Sequence, residues 1–118
     1  MKYTLSIKKN RTFRYILRKG RYIRQNRVMV YCLKNNKKLN FLGICVNKKN
    51  GKSVDRNKLK RWVRQAYTYE EQKLKKGYNI IVLYKKTSNK QNTNFFMVYE
   101  DLKKAFEVLD IYEKRENN

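Results

Sequence analysis

Arg56, Asn57, Lys58, Lys60, Arg61 and Arg64 crowd into one short stretch, and Asp55 is the only acid before Glu70. Guanidinium forks grip phosphate oxygens in pairs. An asparagine amide adds a donor and an acceptor for a base edge or a sugar hydroxyl. Wound at about 100° per residue, Asn57, Lys60, Arg61 and Arg64 fall within about 100° of one another, with Arg56 near the boundary. Leu59, Trp62, Val63, Ala66 and Glu70 gather opposite. One face therefore enters a core, Trp62 with it, and the other meets an anion. A merely solvated face mixes signs through i,i+4 Glu–Lys pairs. Here the lone Asp55 stands at the helix start, where the dipole favours it. A membrane-bound helix would put its apolar face into lipid, but that face is needed for the core. A folded nucleic acid is the better partner.

The rest of the composition agrees. The 118 residues carry a net charge of +22, a surface that repels itself unless a polyanion neutralises it. Residues 1–54 hold Lys and Arg but no acid, whereas the acids gather after Tyr99. Catalytic chemistry is scarce. There is no histidine, the commonest general base and metal ligand. Two cysteines make no zinc site, and one early carboxylate makes no cluster for two-metal phosphodiester cleavage. The four glycines form no phosphate-cradling loop. The expectation is a protein that binds, with no catalytic residue and no metal-binding motif of its own. Cys32 and Cys45 read as small core residues in strands, with reduced thiols. No secretory signal and no membrane-length apolar run is visible, which gives a cytoplasmic protein.

The elements that must position these groups follow from periodicity. Asn10 caps a short helix with Phe13, Ile16 and Leu17 on one face and Gly20 past its end. Val28–Leu33 and Leu39–Val46 read as strands, and the polar joint "NNKK" (35–38) between them predicts an antiparallel hairpin. Val54 to about Lys75 is helical, with Ser53 a cap and Gly77 a stop. "YNIIVLY" (78–84) is a third strand, "SNKQNTN" (88–94) a loop, and Phe95 to about Tyr112 a closing helix with Tyr99, Leu102, Phe106 and Leu109 on one stripe. The order αββαβα describes a single small α+β domain over 1–118, a small sheet packed with helices.

The stretch "VNKKNGKSVDRNKLKRWVRQAY" resembles the signature of the bacterial ribonuclease P protein subunit. The match is carried by Lys48, Lys49, Gly51, Ser53, Arg56, Asn57, Lys58, Lys60, Arg61 and Arg64, with Lys52 in the same basic turn. "KKNRTFRYILRKG" and "VMVYCL" look like the family's first helix and first strand, and the agreement extends over about residues 5–110. Lys58 stands where the family has Arg, which loses a planar fork. The resemblance implies a subunit of an RNA-catalysed endoribonuclease that removes the 5′ leader from precursor tRNA. It implies Mg²⁺ held by the RNA subunit, that RNA and precursor tRNA as partners, and no membrane or DNA. The basic turn and helix would meet the RNA subunit, and a cleft of sheet and first helix would hold the single-stranded leader. A left-handed βαβ crossover also follows from the resemblance, against the general rule.

The residues themselves fit beside this. Met29, Tyr31 and Leu33 share a strand face, and Phe13 and Leu17 share a helix face. Aromatic groups on a basic surface suit stacking of unpaired bases, so Phe13, Leu17, Met29 and Tyr31 are the leader candidates. Phe13 could equally fill the core; Tyr31 leans to contact, because a buried tyrosine must also satisfy its hydroxyl. The rival readings are a ribosomal or other structural RNA-binding protein without a role in cleavage, and a DNA-binding regulator. The latter wants a second helix close to the basic one.

Overall fold

The strand Tyr78–Tyr84 dictates the topology. Ile80, Ile81 and Val82 are all fully buried, so both faces of this strand are covered, and such a strand belongs inside a sheet. In the computed structural model, which describes residues 1–85 and 93–114, it lies at the centre of five strands. Along the chain the elements are β1 (Thr4–Ser6), α1 (Asn10–Lys19), β2 (Arg21–Arg24), β3 (Val28–Lys34), β4 (Asn40–Val46), α2 (Ser53–Glu70), β5 (Tyr78–Tyr84) and α3 (Phe95–Val108). Single 3-10 turns, Lys48–Asn50 and Glu71–Lys73, flank α2. The strand order is β1-β4-β5-β3-β2. β1 and β5 run parallel to β4, β3 antiparallel to β5, and β2 antiparallel to β3. Among the described residues no helix is long and apolar enough to cross a membrane.

This α+β architecture contains the three strands and three helices expected from the sequence, and adds two short edge strands, β1 and β2. It also corrects one pairing. β3 and β4 form no hairpin, because β5 inserts between them. Their connection passes the start of β5, where the Asn35 N–H donates to the Gly77 carbonyl at 2.9 Å and Asn35 Nδ2 to Asn79 Oδ1 at 3.1 Å. β4, α2 and β5 then make a βαβ unit of neighbouring parallel strands.

The helix ends differ in detail. Lys9, not Asn10, precedes the first helical residue of α1, and no side chain caps it. Gly20 follows the helix as expected, its N–H donating to the Ile16 carbonyl at 2.8 Å. Ser53 is the first residue of α2 rather than its cap, and the Asp55 carboxylate accepts the Lys52 N–H at 3.2 Å. Gly51 takes φ 112°, which favours glycine, and a Cβ there would lie 2.7 Å from Asp55 Oδ2. α2 gives way to the 3-10 turn after Glu70, short of Lys75 and Gly77, because Glu71 turns in to accept the N–H groups of Lys2 and Tyr3 at 2.8 and 3.2 Å. α3 stops at Val108, short of Tyr112, which bridges back to Leu74. Of the expected loop 88–94, residues 88–92 lie outside the described residues; Asn94 caps α3 by accepting the Met97 N–H at 3.0 Å.

The two faces of the sheet are unequal. One carries Val28, Val30, Cys32, Leu42, Val46, Ile80 and Val82 into a single core with Val63, Ala66 and Tyr67 of α2 and Val98, Leu102, Ala105 and Phe106 of α3. Polar anchors lock this layer. Asp101 accepts from both the backbone and the guanidinium of Arg27, at 3.0 and 3.1 Å. Glu70 accepts the hydroxyls of Tyr99 and Tyr112, at 2.7 and 2.8 Å. The opposite face is covered by α1, through buried Ile16 and through Phe13, which lies over Gly43. A Cβ at Gly43 would come within 2.9 Å of the Phe13 ring, so the absent side chain lets α1 settle on the sheet. A helix narrower than the sheet leaves a flank open on either side.

Candidate nucleic-acid interface

α2 separates its residues as its periodicity demands. Val63, Ala66, Tyr67 and Glu70 are buried, and Leu59 and Trp62 are half-buried against the core. Asn57, Arg61 and Arg64 are exposed together, with Lys60 and Arg56 half-buried at the margins. Lys58 is set apart: its Nζ lies 5.0 Å from the Trp62 ring centroid, a cation–π contact. Lys48, Lys49 and Lys52 are exposed on the turn leading into the helix. Among the described residues none of these cations joins an ion pair. Arg56 donates to Ser53 Oγ at 3.3 Å through Nη2, while its buried Nε has no hydrogen-bond partner among the described residues. Such a donor is costly to leave unmade.

The leader candidates come together on the α1 face of the sheet. Phe13 and Leu17 lie on one flank of α1, and Met29 and Tyr31 point to the same face of β3; all four are half-buried. Register adds neighbours that sequence reasoning missed. Tyr22 of β2 stands opposite Tyr31, with ring centroids 5.4 Å apart and planes tilted by 31°. Tyr22 is 61% exposed, so the pair presents an open aromatic face. Only recognition of β2 as a strand could have found it. Leu83 pairs with Met29 on one side and with Cys45 on the other. Cys45 is exposed, against the expectation of a core thiol, because it lies on the α1 face in a row that α1 does not reach. Cys32 is buried as expected, and burial pushes its thiol up.

Cations rim this groove at the ends of β4 and β5. The Asn47 N–H donates to the Tyr84 carbonyl at 3.1 Å, and Asn50 Nδ2 donates to the Lys85 carbonyl at 3.1 Å. The basic turn is thereby tied to the end of β5. Burial, followed by the nearby positive charge of Arg24, holds Lys85 below the ordinary lysine range. Crowded cations of this kind favour an approaching anion. The geometry provides a cationic helix face, a basic turn and an aromatic groove whose open end meets that turn. Such a surface can bind phosphates at fixed spacing and stack unpaired bases beside them.

The carboxylates play a different part. Glu70, Glu71 and Asp101 are buried and satisfied within the fold. Among the described residues no three His, Cys, Asp or Glu side chains are grouped to hold a metal ion.

Comparison with known proteins fits this surface. The ribonuclease P family profile matches residues 1–110. The ribonuclease P protein component of Clostridium botulinum is 34% identical over 100 residues, 84% of this chain and 85% of that protein. That of Dictyoglomus turgidum is 38% identical over 109 residues, 92% of this chain and 91% of that protein. The solved RNase P protein of Thermotoga maritima is similar in fold, with a TM-score of 0.76 and 32% identity, covering 84% of this chain and 92% of that one. Sequence and fold agree over nearly the whole length, and the chain belongs to the bacterial ribonuclease P protein component family.

Proposed function

We propose that this chain is the cytoplasmic protein subunit of a ribonuclease P ribonucleoprotein that removes the 5′ leader from precursor tRNA. Arg56, Asn57, Lys58, Lys60, Arg61 and Arg64, with Lys48, Lys49 and Lys52, meet the RNA subunit. Phe13, Leu17, Met29 and Tyr31, extended by Tyr22, hold the single-stranded leader. The observation that carries this reading is the open face of α2, where Asn57, Arg61 and Arg64 are exposed beside a buried apolar side and without an acidic partner among the described residues.

Mg²⁺ finds no free ligand at the buried carboxylates or at Asp55. The buried carboxylates are engaged by tyrosine hydroxyls, backbone N–H groups and Arg27, and Asp55 accepts from the Lys52 backbone. Catalytic ions belong on the phosphates of the RNA subunit. The protein's work is to neutralise charge and to hold the substrate's leader.

Reconstitution tests this. The repurified protein alone leaves precursor tRNA intact, and adding a bacterial ribonuclease P RNA gives cleavage at Mg²⁺ concentrations where that RNA alone is poorly active. Cleavage by nuclease-free protein alone would overturn the assignment, and so would an RNA whose activity the protein does not change. The charge reading has its own measurement. If six phosphates are neutralised, log affinity for the RNA falls against log salt with a slope of about −4 to −5. A slope near −1 would mean that the basic surface is mostly solvated.

A further inference from the structure

A cleft of about 970 Å³ lies on the other flank of α1 from the Tyr31 groove. Its walls come from β1 and the residues leading into α1, from the outer flank of α1, and from the loop after β3. Phe41 and Asn79, at the starts of β4 and β5, also line it. Lys8, Lys9, Arg11, Lys34 and Lys37 line it without an acid, and all five are exposed. None of them joins an ion pair among the described residues. Flat groups alternate with the charges. Tyr15 is 44% exposed, and half-buried Phe41 has Lys37 Nζ 5.2 Å from its ring centroid.

This chemistry selects the ligand. Cations spread along a cleft match a run of phosphates better than one small anion, and exposed aromatic faces match bases that are not already stacked in a duplex. An unpaired RNA strand satisfies both. The topology selects the source. The cleft and the Tyr31 groove share one face of the sheet, with only α1 between them, whereas α2 packs on the opposite face. β4 runs from Phe41 at the cleft to Cys45 beside the groove, roughly 13 Å at about 3.3 Å per residue. The intervening ridge is itself basic. At about 100° per residue Arg14 and Arg18 fall on the side of α1 away from buried Ile16, and both are exposed. Arg18 also lies 5.8 Å from the Tyr15 ring centroid, at the lip of the cleft.

We propose that the cleft receives the leader nucleotides farther from the cleavage site, carried over α1 by Arg14 and Arg18 after the nearer ones have filled the Tyr31 groove. This rests on the leader reading above and extends it to a second site on the same strand.

The experiment uses the full chain assembled with a bacterial ribonuclease P RNA. The substrates are mature tRNA, precursor with a leader of a few nucleotides, and precursor with a leader several times longer. The wild type binds the long leader more tightly than the short one. Tyr15→Ala combined with Lys37→Ala weakens the long-leader precursor about tenfold, the effect of losing one stacked base. It leaves the short leader, mature tRNA and assembly unchanged. Both side chains are exposed, so an unchanged melting curve is expected. Equal losses for short and long leaders, no loss at all, or weakened assembly with the RNA subunit would each overturn the proposal, the last by giving the cleft to that RNA. Tyr31→Ala is run alongside. If it fails to weaken the short-leader precursor, the groove reading fails by itself, and the cleft is still judged by the difference between long and short leaders in the Tyr15/Lys37 variant.

Discussion

Replacing Arg61 and Arg64 together with alanine weakens assembly with the ribonuclease P RNA by on the order of a hundredfold or more. Each guanidinium offers charge-assisted hydrogen bonds worth roughly 1.5–3 kcal/mol when engaged, and two such losses exceed a hundredfold in affinity. Their places in the fold make this interpretable. Both are exposed on α2, and neither is held by an acid among the described residues. Alanine is the best helix former, so the melting temperature stays where it was. The loss is the same for every substrate, because it precedes substrate binding. Tyr31→Ala gives the contrasting pattern. It removes a stacking surface worth roughly 1–3 kcal/mol per base, so it weakens precursor tRNA and spares mature tRNA, which has no leader. Tyr31 is half-buried beside Tyr22, so its melting curve must be compared first. Affinities for the RNA subunit, precursor and mature tRNA decide the matter. Normal assembly of the double arginine variant would turn the α2 face toward some other partner. Equal weakening of both tRNAs by Tyr31→Ala would remove the leader from the groove.

Helix geometry explains why the α2 face was legible from sequence while the rest of the surface was only partly so. On a helix, spacing along the chain converts directly into an angle, and the split between Val63, Ala66 and Glu70 on one side and Asn57, Arg61 and Arg64 on the other needs no tertiary information. The central strand was legible for a similar reason, since its apolar run marks burial on both faces. Strand pairing is different in kind. The polar joint 35–38 looked like a hairpin turn because it is short, yet β5 enters from forty residues away and separates β3 from β4. β1 and β2 escaped notice because edge strands are short: β1 has three residues and β2 four, and β2 is bounded by Arg21 and Arg24. With β2 unread, Tyr22 could not be placed against Tyr31. The cleft beside Tyr15 was still less accessible. It joins the residues before α1, a loop after β3 and the start of β5, and no local pattern links them. Cys45 failed for the converse reason: its strand was read correctly, but which rows α1 covers is a property of the packed helix.

Glu70→Ala destabilises the protein by about 2–4 kcal/mol. The carboxylate is buried where α2 meets α3 and the chain after it, and it is the shared acceptor for Tyr99 and Tyr112. Alanine leaves both hydroxyls without that acceptor, at roughly 1–3 kcal/mol for a buried group and less for half-buried Tyr99, and opens a small cavity. Lys73, 3.6 Å from Glu70 and largely exposed, adds little. In urea the midpoint falls while the slope is unchanged. The pH profile then identifies the cause. Burial pushes Glu70 up, but the two hydroxyl hydrogen bonds and the Lys73 charge outweigh it, leaving the group below the usual carboxylate range. Its contribution is therefore complete at neutral pH and is lost as pH falls through that range. The tyrosines behave oppositely. The hydrogen bond to Glu70 takes Tyr99 up to about 12, and burial followed by the same carboxylate raises Tyr112 further. Their contribution is complete below the ordinary tyrosine value of about 10 and is lost as pH rises above it. Wild-type stability accordingly falls at both extremes. Glu70→Ala reduces the alkaline fall, whose remainder rests on the burial of Tyr112, Tyr67 and Tyr84, and reduces the acid one, whose remainder rests on Glu71, which is also held below its usual range. Glu70→Gln keeps the shape and one acceptor, so it recovers part of the lost midpoint while the alkaline limb stays reduced. An alanine variant with an unchanged midpoint, or one that keeps the wild-type alkaline limb, would show that the two tyrosines are held by packing rather than by this carboxylate.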